Sequence, residues 1–352
     1  MKKLKIIVTG AGAPGIVGTI HSLKKNFDHR PIDVIGTDVN DNVVGKYICD
    51  KFFTIPKASD KSVYLKALVS ISEMEKPDII IPQNTSELLT LAESIKVFAE
   101  RGVKIIVSNA ESIKQSNNKF ALMNLCRVNG LSYPEYKLVD NTFDLENSLK
   151  ELGWPEKKVI VKPPVSNGMR GFRIIDEKFD PRKTFYSEKP DNSIISFDDL
   201  KKILGVNFPE LLVSEYLPGD EYSVDILRTK DRIDVVPRKR TQIRSGITFN
   251  GNLEYNTKII DSSIKLSELL NMEYCYGFQF KMDYNNRPQL LECNPRVQGT
   301  MVMSTIGGAN LIYGAVKYAL NEPIPEFIID WNSSFFRYWG GVGLNNGRIK
   351  LI

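Results

Sequence analysis

Four short apolar runs near the amino terminus, at residues 5–9, 33–37, 78–82 and 104–107, are separated by amphipathic stretches. This alternation constrains the fold more than any other feature, because strands joined by helical crossovers lie parallel in one sheet. The stretch 86–101 shows the helical period clearly: Leu88, Leu91, Ala92, Ile95, Phe98 and Ala99 share one face, and Asn84 with Glu87 has capping-box spacing. Ser108 and Glu111 repeat that start signal, Gly130 is a stop, and the helix so bounded carries Lys119. A first domain is expected to end near residue 110.

From residue 159 onward the period changes to two. Strands are expected near 159–162, 172–176, 211–216, 222–227 and 233–236, in antiparallel pairing. Residues 177–199 are polar and are expected to form a mobile insertion. The closing segment, 331–352, holds Phe335, Phe336, Tyr338 and Trp339, an aromatic cluster expected to pack on the core without chemistry of its own.

With 352 residues, the chain has room for two or three domains. Lys plus Arg number 47 against 42 Asp plus Glu, and an excess of five positive charges is too small to imply nucleic acid. The only histidines, His21 and His29, argue against a Ser-His-Asp triad or a multi-histidine metal centre. Cys49, Cys126, Cys275 and Cys293 form no CxxC pair, which suits a reducing, cytoplasmic setting. No apolar run is long enough for a membrane span. Lys2, Lys3 and Lys5 before Ile6, Ile7 and Val8 imitate a secretory leader, but Gly10, Gly12, Gly15 and Gly18 interrupt it and a buried strand explains the same residues.

Several motifs carry candidate chemistry. Gly10, Gly12 and Gly15 follow a strand and Asp38 ends the next one, which satisfies the dinucleotide fingerprint, although tight glycine turns also serve purely structural ends. Lys162 ends a strand before Ser166, Gly168, Arg170 and Gly171, a turn able to fold over phosphates, or else an edge hairpin with an exposed lysine. Glu215, Tyr216 and Leu217 precede a Pro218-Gly219 bend and Glu221, a bend that can expose backbone groups to an adenine edge. Arg238, Lys239, Arg240 and Arg244 form a basic cluster suited to an anion or to a solvated face. Pro82, Gln83 and Asn84, at a strand end, are a candidate lining for an acceptor substrate.

The segment 277–300 reads as a hairpin. If residues 284–287 form its turn, Asp283 faces Pro288 and Gln279 lies opposite Glu292, with Asn294 on the same face by pleating. Three oxygen donors then converge in the manner magnesium prefers, and Arg296 follows as a bidentate partner for phosphate.

In chain order, Lys119, Lys162 with its glycine turn, the 215–221 bend, and Gln279, Glu292, Asn294 and Arg296 resemble the ATP-grasp superfamily in order and spacing together. The resemblance covers roughly residues 115–325 and is strongest toward the synthetase halves of carbamoyl-phosphate synthase large subunits and toward single-module carboxylate–amine ligases. It implies mixed α/β and α+β architecture: a Rossmann-like preATP-grasp parallel sheet (1–110), then an ATP-grasp fold of two α+β subdomains gripping ATP (111–330, lid about 155–213), then the aromatic tail (331–352).

It further implies that Lys119 and Lys162 hold phosphates under Gly168, Arg170 and Gly171, that Glu215, Tyr216 and Leu217 meet adenine, and that Glu221 holds the ribose. Gln279, Glu292 and Asn294 become magnesium ligands, with Asp283 a fallback under a shifted register. Arg296, Arg240 and Arg244 become the catalytic cations. Many ligases of this superfamily have Asp or Glu where Gln279 stands, so one metal position here carries less charge.

The implied activity is an ATP- and Mg2+-dependent carboxylate–amine ligation through an acyl phosphate, with Mn2+ as a substitute metal. Its substrates are a small-molecule carboxylate and an amine, with no nucleic acid or membrane partner and a homodimer as the default state. Three alternatives stay open: a carbamoyl-phosphate-synthase-like kinase on a small carboxylate or carbamate, an NAD(P)-dependent oxidoreductase using residues 10–15, and a non-catalytic nucleotide sensor.

Overall fold

The apolar runs at the amino terminus pair as the alternation requires. In the computed structural model, which describes residues 1–166, 168–187, 193–338, 340–345 and 348–351, strands β1 (Leu4–Thr9), β2 (Ile32–Asp38), β3 (Lys51–Thr54), β4 (Ile79–Ile81) and β5 (Lys104–Ile105) form a parallel sheet ordered β3-β2-β1-β4-β5. Successive side chains of β1 face opposite ways. Leu4, Ile6 and Val8 enter one apolar cluster, while Ile7 joins Ile35, Ile80 and Tyr64 in another. β3 lay outside the sequence expectation because Lys51 and Thr54 leave only a short half-buried run.

Two expected helices are each broken once. The 86–101 stretch forms Thr85–Glu93 and Ile95–Ala99, since Ser94 leaves helical geometry. The stretch after Ser108 forms Ala110–Asn117 and Lys119–Val128; Asn118 turns extended and its side chain accepts from the Ala121 amide, restarting the helix. Both breaks occur at residues whose short polar side chains compete for backbone hydrogen bonds.

The chain forms two compact units, one of residues 1–117, 221–280 and 292–352, the other of 118–220 and 281–291. The first unit therefore reaches beyond the expected boundary near residue 110 and regains the chain later. Its core explains why: Leu4, Ile6, Val8 and Ile16 are buried together with Leu227, Val236, Leu253, Met301 and Tyr313. Apolar faces made by distant stretches of sequence satisfy one another.

The second unit holds β6 (Tyr136–Asn141), β7 (Val159–Lys162), β8 (Arg173–Ile175), β9 (Ile194–Ile195) and β10 (Asn207–Glu215), ordered β6-β10-β7-β8-β9. Pairing is antiparallel except between β8 and β9. Val159, Val161 and Val213 pack with Leu145, Leu149, Phe197 and Leu200 of helices Thr142–Glu151 and Phe197–Leu204. The insertion at 177–199 contains helix Pro181–Ser187 and β9; residues 188–192 lie outside the described residues.

The sheet formed largely by the first unit is ordered β15-β14-β11-β12-β13-β16, from β11 (Glu221–Arg228), β12 (Ile233–Arg244), β13 (Ile247–Leu253), β14 (Tyr274–Met282), β15 (Pro288–Asn294) and β16 (Ser334–Phe336). β12 runs well past the expected 233–236, carrying Arg238, Arg240 and Arg244 into the ladder. The tail contributes β16 as an edge strand on β13 and a hairpin of β17 (Val342–Asn345) and β18 (Arg348–Leu351). Phe335 packs on the core, Phe336 and Tyr338 are exposed, and Trp339 lies outside the described residues. Among the described residues no helix is long and apolar enough to cross a membrane, and all four cysteines are free thiols.

Candidate active site

The second unit brings together the lysines and the glycine turn that the sequence singled out. Lys119 starts its helix with its amide bonded to Pro164 O at 2.9 Å, and its buried Nζ donates to Ser166 O at 2.9 Å. Lys162, at the end of β7, is 8% exposed and pairs across the ladder with Leu212. Pleating places it with Ile160, Leu212 and Ser214 on the sheet face opposite the helix-covered Val159, Val161 and Val213. In the turn, Gly168, Met169 and Gly171 all adopt positive φ (59°, 60° and 74°), and residues 168–171 are exposed. A Cβ on Gly171 would meet the Pro163 ring at 2.6 Å, so that position requires glycine.

Glu215 does not aim at a ligand with its side chain. Its Oε1 accepts from the Glu135 amide at 3.2 Å while its own amide bonds Glu135 O at 3.0 Å, clamping the strand end. Burial raises its pKa, with that amide hydrogen bond opposing the shift. What faces onward is the backbone of Tyr216 and Leu217, beyond the end of the ladder. The Tyr216 ring has Lys158 Nζ 5.7 Å and Lys281 Nζ 6.0 Å from its centroid. The bend is fixed by Gly219 N donating to Met282 O and Met282 N to Asp220 O, at 3.0 and 2.9 Å.

The hairpin turn is one residue tighter than expected. Asp283 N donates to Arg287 O at 3.0 Å, with Asn286 in the left-handed region, so Asp283 faces Arg287 rather than Pro288. Asp283 is no metal fallback: its carboxylate takes the Asn285 and Arg287 amides, Arg287 Nε and Gln289 Nε2. Burial alone would raise its pKa, but those donors hold it below the usual carboxylate value.

In the first unit, Glu292 and Asn294 meet directly, Asn294 Nδ2 donating to Glu292 Oε1 at 3.1 Å. Arg296 Nη2 donates to Asn294 Oδ1 at 3.2 Å, its Nη1 to Val297 O at 2.9 Å, and its Nε to Thr85 Oγ1 at 3.4 Å. Burial lowers the Arg296 pKa, and the Glu292 charge counters it. Gln279 shares a strand face with Gly277, where a Cβ would overlap the Gln298 carboxamide; Gln279 therefore lies on the face of β14 turned to the Arg238–Gln298 pair.

The basic cluster divides three ways. Arg238 is 1% exposed and is held by Asp225, itself bonded to Ser304 Oγ at 2.6 Å, and by Gln298 Oε1 at 2.8 Å. It is a core ion pair, not an anion receptor. Arg240 is buried and donates to Glu221, to Thr248 Oγ1 at 2.9 Å and to Gly246 O at 2.6 Å. Burial lowers its pKa, and the Glu221 carboxylate opposes that shift. The Glu221 carboxylate assigned to a ribose is thus engaged by Arg240. Arg244 is exposed, its guanidinium 4.7 Å from the Phe249 ring centroid, and the structure does not gather it with Arg296.

Sequence reasoning missed Asp225, Gln298 and the burial of Glu87. Asp225 left a signal, as an acid inside a mostly apolar strand, within reach of Arg238 on the neighbouring strand. Glu292, Asn294 and Gln279 offer only oxygen donors suited to a hard cation, with a single carboxylate. That fits magnesium, which keeps water and substrate phosphates among its ligands and needs only one or two carboxylates. Among the described residues no group of three or more His, Cys, Asp or Glu could form a closed protein cage.

The glycines at 10–15 have another use. The Ala11 amide bonds Thr37 O, Gly12 N bonds Asp38 Oδ2 at 2.7 Å, Ala13 N bonds Gly10 O and Ile16 N bonds Ala13 O. Pro14 has no amide hydrogen. A Cβ on Gly15 would lie 2.7 Å from Gly299 Cα. The amides of Ala11, Gly12, Ala13 and Ile16, and the Asp38 carboxylate that would hold a ribose, are engaged internally.

Residues 207–334 match the family described as ATP-grasp in the biosynthetic pathway with Ter operon, and residues 6–106 match the PylC-like N-terminal domain. The carbamoyl phosphate synthase large chain of Clostridium acetobutylicum is 24% identical over 288 residues, covering 78% of this chain and 25% of that protein. The formate-dependent phosphoribosylglycinamide formyltransferase of Histophilus somni is 27% identical over 186 residues, covering 52% of this chain and 43% of that protein. The chain thus spans less than half of these relatives. Among solved structures, an ADP complex of N5-carboxyaminoimidazole ribonucleotide synthetase superposes with TM-score 0.68 at 14% identity, over 93% of this chain and 79% of that one. The biotin carboxylase of Campylobacter jejuni does so with TM-score 0.68 at 17% identity, over 92% and 72%. Residues 207–334, which hold the carboxylate, carboxamide and guanidinium at and just after the end of β15, are thus similar to an ATP-grasp family, and the parallel amino-terminal sheet to a PylC-like amino-terminal domain.

Proposed function

We propose that the chain is an ATP- and Mg2+-dependent carboxylate–amine ligase working through an acyl phosphate. The observation that carries this reading is the linked run Glu292, Asn294 and Arg296. A carboxylate is a poor electrophile until one of its oxygens becomes part of a phosphate leaving group. ATP supplies that phosphoryl group, and an amine then displaces phosphate to leave an amide, ADP and inorganic phosphate. No protein nucleophile is needed, in keeping with a chain that has two histidines.

Each residue has a part in positioning or charge. Lys119 and Lys162 hold phosphate oxygens, with the 168–171 turn folding over them and excluding water. The Tyr216 and Leu217 backbone receives the adenine edge. Glu292, Asn294 and Gln279 would hold the metal, which when bound neutralises charge on the phosphate oxygens. Arg296 places a fixed guanidinium where negative charge grows during transfer. Arg240 keeps Glu221 in place and adds a buried positive charge to the same sheet face.

The carbamoyl phosphate synthase relative favours one second reading, phosphorylation of a small carboxylate or carbamate without amide formation. Screening ADP release against paired libraries of acids and amines tests both: the ligase needs an acid and an amine, the kinase an acid alone. Glu292→Ala should lower ADP release by at least about 100-fold with the fold retained, since it removes the one ionised metal ligand. Near-normal turnover in that variant contradicts the site. No release from wild type across the libraries points instead to a nucleotide sensor.

A further inference from the structure

β4 leaves the first sheet at Ile81 and passes through Pro82, Gln83 and Asn84 into helix Thr85–Glu93. Most polar groups of that passage are matched. Glu87 Oε1 accepts from the Thr9 hydroxyl, from Gln83 N at 3.1 Å and from Asn84 N at 2.9 Å, and its Oε2 accepts from Tyr64 Oη at 2.6 Å. Gln83 is the exception: it is 7% exposed, yet its side-chain Nε2 is buried with no hydrogen-bond partner. An unmatched buried donor destabilises the fold, whereas an apolar side chain of the same shape would carry no such penalty. A fold that keeps the carboxamide there at that disadvantage is one in which a ligand supplies the acceptor.

Three features indicate the charge of that ligand. The helix that starts two residues later has its positive dipole end at the same strand end, its N3 amide already capped by the Asn84 side chain. Arg296 Nε reaches Thr85 Oγ1 at 3.4 Å, bringing a guanidinium to that first turn. The carboxyl group on the turn, Glu87, has both oxygens engaged by donors within the fold. Strand ends where the order reverses, as between β1 and β4 here, are where open parallel sheets bind ligands.

We propose that Gln83, the first turn of helix Thr85–Glu93 and Arg296 form a subsite for a carboxylate of the small acid substrate, with Gln83 Nε2 donating to one of its oxygens. Only the word substrate rests on the ligase reading; the anion-binding chemistry stands without it. Gln83 is then a specificity determinant, selecting acids over the corresponding amides and amines.

Calorimetric titration of the full chain with acetate, glycine, L-glutamate, inorganic phosphate and methylamine, with wild type and Gln83→Leu in parallel, tests this. At least one of the three acids should bind wild type, and Gln83→Leu should weaken it by roughly 10-fold, the effect of losing one good hydrogen bond. The same variant without ligand should melt higher by about 2 °C or more, because the unmatched donor is gone. A purely structural glutamine would do the reverse.

Gln83→Glu, which adds a like charge, should weaken the acid further and leave ATP binding unchanged. Equal acid binding by wild type and Gln83→Leu overturns the proposal, as does binding of methylamine or phosphate in place of the acids, binding of no acid at all, or a lower melting temperature for Gln83→Leu. ADP release separates this from failure of the ligase reading: acids that bind through Gln83 without driving ADP release leave the subsite standing and remove the ligase.

Discussion

The glycine turns at residues 10–15 and 168–171 look alike in sequence and differ in what their backbones still offer. In the first, the amides of Ala11, Gly12, Ala13 and Ile16 are engaged internally, Pro14 has none, and Gly15 lies against Gly299. In the second, Gly168, Met169 and Gly171 hold positive φ in an exposed turn tied to Lys119 through Ser166. Glycine marks a place where backbone comes close to something. Hydrogen bonds within the turn and packing against it show when that something is the protein itself.

Substitutions at equivalent-looking glycines should therefore have opposite signatures. Gly15→Val puts a branched side chain against the Gly299 backbone, which cannot move aside as a side-chain tip can, and should cost about 3 kcal/mol or more of stability in thermal unfolding. The surviving folded protein should keep its KM for ATP. An unchanged melting temperature would mean the first turn is free after all.

Gly168→Ala meets only the end of the Arg170 side chain, at 3.4 Å, and must hold φ near 59°. Its stability cost should be about 1 kcal/mol, with the main effect a several-fold higher KM for ATP in steady-state assays. A stability loss matching that of Gly15→Val would erase the contrast.

The smallest effect concerns acid. The body that holds the first turn is also tied by Asp28, which accepts from Lys317 Nζ at 2.6 Å and Tyr313 Oη at 3.0 Å. Burial would raise the Asp28 pKa, but those two donors outweigh it and hold it below 3.8. A carboxylate with a depressed folded pKa stabilises above its unfolded value and loses that contribution as pH falls through the folded one. Melting temperature should therefore decline below about pH 4, and Asp28→Asn should flatten that decline. A variant with the same acid profile would remove Asp28 from the account.

What the sequence revealed and what it hid follow from range. The parallel sheet was legible because β1, β2 and β4 are apolar runs bounded by turn residues, and Lys119, Lys162 and the end of β15 stood out by residue type and order. The domain boundary was not legible: Leu4 and Val8 are buried by Leu227 and Tyr313, contacts no local window contains. The basic cluster misled for a related reason. Arg238 reads as a surface charge until the Asp225 side chain on the neighbouring strand is seen to pair with it, and a buried pair of that kind leaves only an acid inside a mostly apolar strand as its trace. The hairpin turn closed one residue tighter than expected because nothing local forces Asn286 into the left-handed conformation seen there.

The acyl phosphate is the claim on which the chemistry turns, and isotope transfer reads it directly. The acid that supports ADP release, labelled with oxygen-18 in its carboxylate, should deliver one labelled oxygen to the phosphate released with the amide. Phosphate carrying only unlabelled oxygen would show that the acid is never phosphorylated, and would contradict the ligase mechanism.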